Sequence, residues 1–147
     1  MTFGTGKKAV EMGQDLLTKS RELFALIERG DGEALRRLYA ENAVQIEHPN
    51  RLKPKGDRRE PTKMIEDLAR GKKILRSERY DIVNAVAADD RVAVQVAWTG
   101  VLDVPVGTLT AGETMRAYSA IFLRFEDGRI AEQHNYDCFE DFLTPRA

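Results

Sequence analysis

The sequence predicts an α+β domain, with helices in the first half of the chain and an antiparallel sheet in the second half. Two observations predict this class. Apolar residues recur at spacings of three and four in three early segments, and at spacings of two in the later segments. Turn-forming residues separate the later segments, as expected of strands joined by hairpins. The 147 residues suit one domain, which we place at 9–143 between flexible tails at 1–8 and 144–147.

Three helices are predicted in the first half. The first covers residues 11–28, where apolar residues form a stripe on one side. A Gly-Asp-Gly segment ends it, and Asp31 offers an N-cap for a second short helix that ends within residues 39–42. Pro61, at a first-turn position, begins the third helix, and Gly71 closes it.

Strands follow from the change of period. Apolar and other residues alternate in two successive segments, which contain Tyr80, Ile82, Asn84 and Val86, then Val92, Val94, Val96 and Trp98. Residues 89–90 connect these strands, and residues 104–107 interrupt the second one. Residues 126–129 read Glu-Asp-Gly-Arg, a strong hairpin signal between Phe125 and Ile130. Consecutive hairpins predict an antiparallel sheet.

The composition excludes several classes of protein. With 23 Lys and Arg against 24 Asp and Glu, the net charge of −1 argues against a nucleic-acid partner. The single cysteine, Cys138, forms neither an intrachain disulfide nor a zinc site, and we expect a buried structural thiol. No metal-ligand spacing occurs, so no metal is predicted. With no secretory signal and no apolar run long enough for a membrane span, we expect a cytoplasmic protein without a membrane partner.

The strand that begins at Arg91 is apolar on both faces. One face carries Val92, Val94 and Val96, and the other carries Ala93, Ala97 and Val101. Because the helices can cover only one face, we expect a second copy of the chain to cover the other. The sequence therefore predicts a homodimer.

Five short motifs follow the order of the predicted elements: Gly30-Asp31, Leu38-Tyr39-Ala40-Glu41-Asn42-Ala43, Glu47-His48-Pro49, Trp98-Thr99-Gly100 and the segment from Phe122 to Ile130. Together they resemble the SnoaL-like branch of the nuclear transport factor 2-like superfamily. The resemblance implies a cone in which three helices close over a strongly curved antiparallel sheet around an internal pocket. Family members include isomerases, cyclases, dehydratases, epoxide hydrolases and proteins without chemistry, so the fold does not assign a function. We expect a small-molecule ligand and no cofactor.

The resemblance points to a general base just after the second helix, where relatives of ketosteroid isomerase type carry Asp-Pro. Alignment on Pro49 puts His48 at the position of the base, whereas an ungapped count from residues 39–40 puts Glu47 there. Either side chain can accept a proton, and one sequence does not decide between them. If the protein is an enzyme, His48 is the base that we predict, because neutral imidazole accepts protons near neutral pH.

Steroid isomerisation itself is disfavoured. That reaction uses a Tyr and a protonated Asp as oxyanion donors. Counting along the family pattern places Leu23 and Ile121 at the two donor positions. Neither side chain can donate a hydrogen bond to an enolate.

A second catalytic candidate is Asp137, near the end of the last predicted strand, where SnoaL-like cyclases place a catalytic Asp. Strict alternation puts His134 on the opposite face from Asp137, so the two form a dyad only if a bulge lies between them. The partner histidine of the cyclases is replaced by Leu123, which weakens a cyclase mechanism. Alternatively, Asp137 caps the chain or pairs with an Arg.

Aromatic residues in the predicted strands either line the pocket or fill the core. We predict substrate contacts from five side chains: Trp98, Tyr118, Phe122, His134 and Tyr136. A basic segment at residues 51–63 either steers an anionic ligand or is a solvated loop.

The sequence thus leaves two functions open. One is proton-transfer chemistry of isomerase, cyclase or lyase type on a small, largely apolar molecule. The other is a non-catalytic ligand-binding or dimerisation module of the same fold.

Overall fold

The computed structural model describes residues 3–146. It has three helices and six strands in the order α1 (Phe3–Arg29), α2 (Gly32–Leu38), β1 (Tyr39–Glu47), β2 (Asp57–Arg59), α3 (Pro61–Ile74), β3 (Leu75–Ala88), β4 (Arg91–Leu102), β5 (Thr114–Glu126) and β6 (Arg129–Phe139). The strands form one open, curled sheet in the order β2-β1-β6-β5-β4-β3, and the helices pack on its concave face. The predicted α+β class is confirmed.

The break between α1 and α2 lies where the sequence predicts it, whereas the start of α1 and the end of α3 differ from the prediction. Asp31 accepts a hydrogen bond from the backbone N–H of Ala34 at 3.1 Å and so caps α2. The first helix begins at Phe3 rather than at residue 11, because residues 6–12 are exposed and need no apolar stripe. The third helix continues past Gly71 to Ile74, since a single glycine weakens a helix without ending it.

Strands β3 to β6 form the antiparallel sheet that the sequence predicts, but the sheet as a whole is mixed. Strand β1 was not predicted, and it pairs in parallel with β6. Its inward positions near the end include Gln45 and Glu47, so the usual apolar alternation of a strand is absent from this segment. The polar residues are the ones that build the site described below.

A β-bulge lies at the start of β6. Phe125 pairs with Ile130, whereas the preceding Arg124 pairs with Glu132, which leaves Ala131 without a partner. Beyond the bulge the pairing with β5 is regular as far as Phe139. The bulge therefore decides which side chains of β6 face the helices.

Two apolar clusters stabilise the fold. The larger lies between the helices and the sheet and includes Leu23, Leu26 and Val96, which are almost completely buried. The smaller joins Leu102 and Met115 to Phe142 of the C-terminal segment and closes one end of the sheet. Burial of these side chains supplies the main driving force for folding.

The convex face of the sheet, which we call the outer face, is not covered by helices. Tyr118, Phe122 and Tyr136 remain about half exposed there. Cys138 also lies on this face and is exposed, so the expectation of a buried thiol is wrong. The reason is strand alternation, which points Cys138 away from the core that its neighbours Asp137 and Phe139 approach. Among residues 3–146, no helix is long and apolar enough to cross a membrane.

Candidate functional site

A cavity of about 490 Å³ lies between the helices and the concave face of the sheet. Its size is in the range of small-molecule sites, and most of its wall is apolar. The apolar part includes Phe24, Leu35, Met64, Trp98, Leu102 and Phe139. The polar part is concentrated on β1, β5 and β6.

Strand β6 places Gln133, Asn135 and Asp137 in the cavity wall, as the alternation predicts. Asp137 pairs with Ser119 of β5 across the sheet. The Ser119 hydroxyl donates to Oδ1 of Asp137 at 2.6 Å. This bond fixes the orientation of the carboxyl group and occupies only one of its two oxygens.

The surroundings of Asp137 favour its neutral form. Burial raises the pKa of Asp137, and the negative charge of Glu47 acts in the same direction. The hydrogen bond from Ser119 and the positive charge of Arg59 oppose this shift without cancelling it. A carboxyl group of this kind can hold or release a proton closer to neutral pH than an exposed one.

Strand β1 brings Glu47, and not His48, to the cavity. Gln45 and Glu47 face inward, and His48 follows on the opposite side because successive strand residues alternate. Arg59 donates to Oε2 of Glu47, and Asn50 donates to Oε1 at 3.1 Å. Glu47 is therefore held in place by two donors.

Arg59 connects three elements at this end of the cavity. Besides Glu47, it contacts Asp57 and Asp67, each at 3.2 Å, and donates to Oε1 of Gln45 at 3.2 Å. Arg59 belongs to the basic segment at residues 51–63, which the sequence predicts either to steer an anionic ligand or to form a solvated loop. Lys53 and Lys63 of the same segment both bind Asp57 and, with Arg59, hold the pKa of that carboxyl far below its usual range.

A chain of hydrogen bonds runs along the floor of the cavity. The hydroxyl of Tyr39, which burial keeps protonated by raising its pKa, donates to Oε1 of Gln133. Nε2 of Gln133 then donates to Oδ1 of Asn135 at 2.9 Å. Alternation on β6 already put Gln133 and Asn135 on the same face as Asp137, but no sequence signal singled out Tyr39.

The opposite wall contains another buried carboxylate. Glu78 of β3 accepts from Nε1 of Trp98 and from Lys72, both at 3.1 Å. Tyr80 stacks on Phe24 with 5.0 Å between the ring centroids. Burial raises the pKa of Tyr80, and the charges of Glu78 and Asp137 add to the effect, although Tyr80 and Asp137 lie on different strands.

Five of the predicted site residues lie on the outer face instead: His48, Tyr118, Phe122, His134 and Tyr136. Only Trp98 among the predicted substrate-binding residues lines the cavity. The ring of His48 stacks on Tyr136 at 4.1 Å, and its Nε2 lies 2.9 Å from Nδ1 of His134. No bulge separates His134 from Asp137, so they stay on opposite faces and form no dyad.

The two positions aligned with oxyanion donors are apolar in the structure as well. Leu23 is fully buried in the core, and Ile121 lines the cavity without a polar group. Within residues 3–146, no three side chains of the metal-binding types are grouped closely enough to hold an ion.

Comparison with known proteins places this geometry in context. The family model of the SnoaL-like domain matches residues 20–133. IdmH, a "putative polyketide cyclase" from Streptomyces antibioticus, is 21% identical, with a TM-score of 0.70 over 82% of this chain and 89% of that chain. AclR, a "putative hydroxylase" from Streptomyces galilaeus, is 18% identical, with a TM-score of 0.67 over 82% and 73% of the two chains.

An epoxide hydrolase of Mycobacterium tuberculosis described as LEH-like is 14% identical, with a TM-score of 0.65 over 88% of this chain and 85% of that chain. At these identities the likeness establishes a shared fold and no shared chemistry. The search of curated proteins gave no significant match.

Proposed function

This chain belongs to the SnoaL-like domain family, and from that membership we propose that its cavity binds a small, largely apolar organic molecule on which Asp137 performs a proton transfer. The reaction is of isomerase, cyclase or lyase type. Proteins of the same fold that are described as "putative polyketide cyclase" support this reaction class. No cofactor is part of the proposal.

The position of Asp137 carries the proposal. Its carboxyl lies in the polar part of a mostly apolar cavity, is oriented by Ser119 and has an elevated pKa. General acid–base catalysis is most efficient when the pKa of the group is near the working pH. Burial with one free oxygen is an arrangement that supports this role.

The other two candidate bases fit the role less well. His48 lies on the outer face, stacked on Tyr136, and does not line the cavity. Glu47 lines the cavity, but Arg59 and Asn50 bind its two oxygens and compete with a substrate proton. We therefore assign Asp137 as the acid–base group and Glu47 as a neighbour that raises its proton affinity.

The experiment is a substrate screen with carbonyl compounds and epoxides, followed by kinetics of the Asp137→Asn variant. We expect a loss of roughly a hundredfold or more in kcat, the usual size of a general acid–base contribution, with ligand binding retained. Asp90→Asn, in the exposed β3–β4 turn, is the matched control and should keep full activity. Full activity of Asp137→Asn together with loss in His48→Ala would return the base to His48.

A homodimer is the second proposal, and the exposed outer face supports it. Three half-exposed aromatic rings, Tyr118, Phe122 and Tyr136, lie close together on β5 and β6. Such a patch is typical of a protein–protein interface, and a second copy of this chain is the occupant that the sequence predicts. If the protein is instead a non-catalytic dimerisation module, this face carries the function, and Asp137→Asn should leave the dimer unchanged. Cytoplasmic location stays a prediction.

A further inference from the structure

The hydrogen-bond chain on the cavity floor fixes the orientation of one amide group. Tyr39 is a donor to Oε1 of Gln133, so Nε2 is the end of Gln133 that remains to donate. It donates to Oδ1 of Asn135. The Nδ2 end of Asn135 is thereby left over, and among residues 3–146 no side chain or backbone oxygen accepts from it.

This free amide nitrogen reaches the interior of the cavity. Asn135 belongs to the cavity wall, and no fully buried side-chain nitrogen or oxygen in the described part of the chain lacks a partner. Nδ2 of Asn135 must therefore be accessible to a molecule in the cavity. Asn135 and Asp137 lie two residues apart on the same face of β6, so their Cα atoms are about 7 Å apart.

We propose that Nδ2 of Asn135 donates a hydrogen bond to the carbonyl oxygen of a substrate whose neighbouring carbon exchanges a proton with Asp137. The substrate class is then a ketone or ester with an acidic C–H next to its carbonyl. This inference rests on the proposed function of Asp137. It supplies a hydrogen-bond donor for the substrate oxygen that Leu23 and Ile121 cannot provide.

The step balances without a further reactant. The Asp137 carboxylate takes the proton, the C–H electron pair becomes the carbon–carbon double bond of an enolate, and the carbonyl π pair moves to the oxygen. The negative charge on that oxygen strengthens its bond to Nδ2 of Asn135, because charge-assisted hydrogen bonds are stronger than neutral ones. The protonated Asp137 returns the proton when the enolate reacts.

Gln45 is the competing amide donor, and its position disfavours it. Gln45 pairs with Gln133, which lies four residues before Asp137 on β6. Asn135 lies only two residues before Asp137 and is therefore nearer to it. Tyr39 and Gln133 are positioning residues in this scheme, since they act on the substrate only through the orientation of Asn135.

An enolate mimic tests the inference without knowledge of the substrate. The probe is 4-nitro-1-naphthol, whose coloured anion carries its charge on an oxygen, and the neutral reference is 1-nitronaphthalene. Both are titrated into the Asp137→Asn variant, in which the amide stands in for the protonated carboxyl. Asn135→Leu and Asn135→Asp are added singly to this background. The second change keeps an acceptor for Gln133 and protects against loss of folding, which circular dichroism monitors.

We expect Asn135→Leu to bind the naphtholate at least about tenfold more weakly, with the affinity for 1-nitronaphthalene unchanged. Asn135→Asp should also bind it more weakly, but its new negative charge contributes there, so Asn135→Leu decides the test. Asn84→Leu, on the exposed side of β3, is the matched control and should change neither affinity. An unchanged naphtholate affinity, or an equal loss for both probes, overturns the role of Asn135. Failure of the parent to bind 1-nitronaphthalene instead contradicts the proposed apolar ligand site, so the two failures are distinguishable.

Discussion

Ser119 and Asp137 are direct cross-strand partners, and the serine hydroxyl lies 2.6 Å from one carboxyl oxygen. The bond joins the two central strands of the cavity floor and leaves the second oxygen of Asp137 for a ligand. Because the hydroxyl donates to the carboxylate, it stabilises the ionised form against the effect of burial. Ser119 therefore both orients the carboxyl group of Asp137 and lowers its proton affinity.

The Ser119→Ala variant should raise the pKa of Asp137 further, because the ionised form loses its donor. If Asp137 is the base, the acid limb of kcat/KM moves to higher pH. The plateau rate changes less than in Asp137→Asn. The pH profile of turnover measures the shift, and Ser77→Ala, at an exposed position of β3, is the control. An acid limb that stays in place would separate the activity from Asp137.

The raised pKa of Asp137 also predicts how stability depends on pH. A folded-state pKa above the unfolded value means that the carboxyl contributes stability below the unfolded pKa and loses it as pH rises through the folded pKa. The Asp137→Asn variant has no carboxyl group to ionise at this position, so it does not lose this stability as the pH rises. The variant should gain stability relative to the wild type between acid and neutral pH, as measured by urea unfolding at several pH values. A constant difference between the two proteins would contradict the shift.

Removing Arg59 should destabilise the protein by about 3 kcal/mol, because Glu47 is then left largely buried without its main partner. The Arg59→Met change tests this by chemical unfolding. In the double variant Arg59→Met with Glu47→Gln, part of the loss should return, since the uncompensated charge is gone. Strictly additive losses would show that the ion pair itself matters little. Arg79→Met, at an exposed arginine of β3 that pairs with Asp81, is the control.

Gly107 should tolerate alanine poorly. Its φ of +57° favours glycine, and a Cβ there would clash with the backbone oxygen of Phe142. Gly107→Ala should cost about 1–3 kcal/mol in unfolding free energy and loosen the C-terminal segment. Gly112→Ala has a similar φ of +90° but open space around the Cβ, so it isolates the backbone strain. Equal losses in the two variants would mean that the close contact with Phe142 is unimportant.

Substitution of Ala97 by arginine should convert a dimer into a monomer. Ala97 faces outward on β4 and pairs with Tyr118, so a long charged side chain there disturbs the proposed interface. Sedimentation should give twice the chain mass for the wild type and 16.6 kDa for the variant. Glu11→Arg, on the exposed part of α1, should leave the dimer intact. A wild type that sediments as a single 16.6 kDa species contradicts the homodimer.

The alternation along one strand predicts correctly which side chains share a face. The alignment of residues 47–49 with the family motif does not decide which of them reaches the cavity. The period of two placed Gln133, Asn135 and Asp137 on one face, and the structure agrees. For His48 and Glu47 the same period could not help, because a shift of one residue exchanges the faces and a single proline does not fix the register. Pairing with β6 fixes it, and the paired residues Glu47 and Asn135 are 88 positions apart.

The aromatic side chains show the other limit of the sequence. Tyr118, Phe122 and Tyr136 have the spacing of strand residues, and nothing local distinguishes a cavity from an outer face. The decision depends on where the helices pack, which is a property of the whole fold. The role of Tyr39 at the site is not predicted for the same reason, since its partner Gln133 lies 94 positions further along the chain.

The bulge at Ala131 has an evolutionary consequence. Strand β6 carries two complete sets of chemically useful side chains, one with Gln133, Asn135 and Asp137 and the other with His134 and Tyr136. Deletion of Ala131 would remove the bulge and leave Arg124 opposite Glu132, so both sets of side chains would keep their faces. In a protein of this fold, the loss of one codon at such a bulge thus retains the reactive groups of the cavity together with the scaffold.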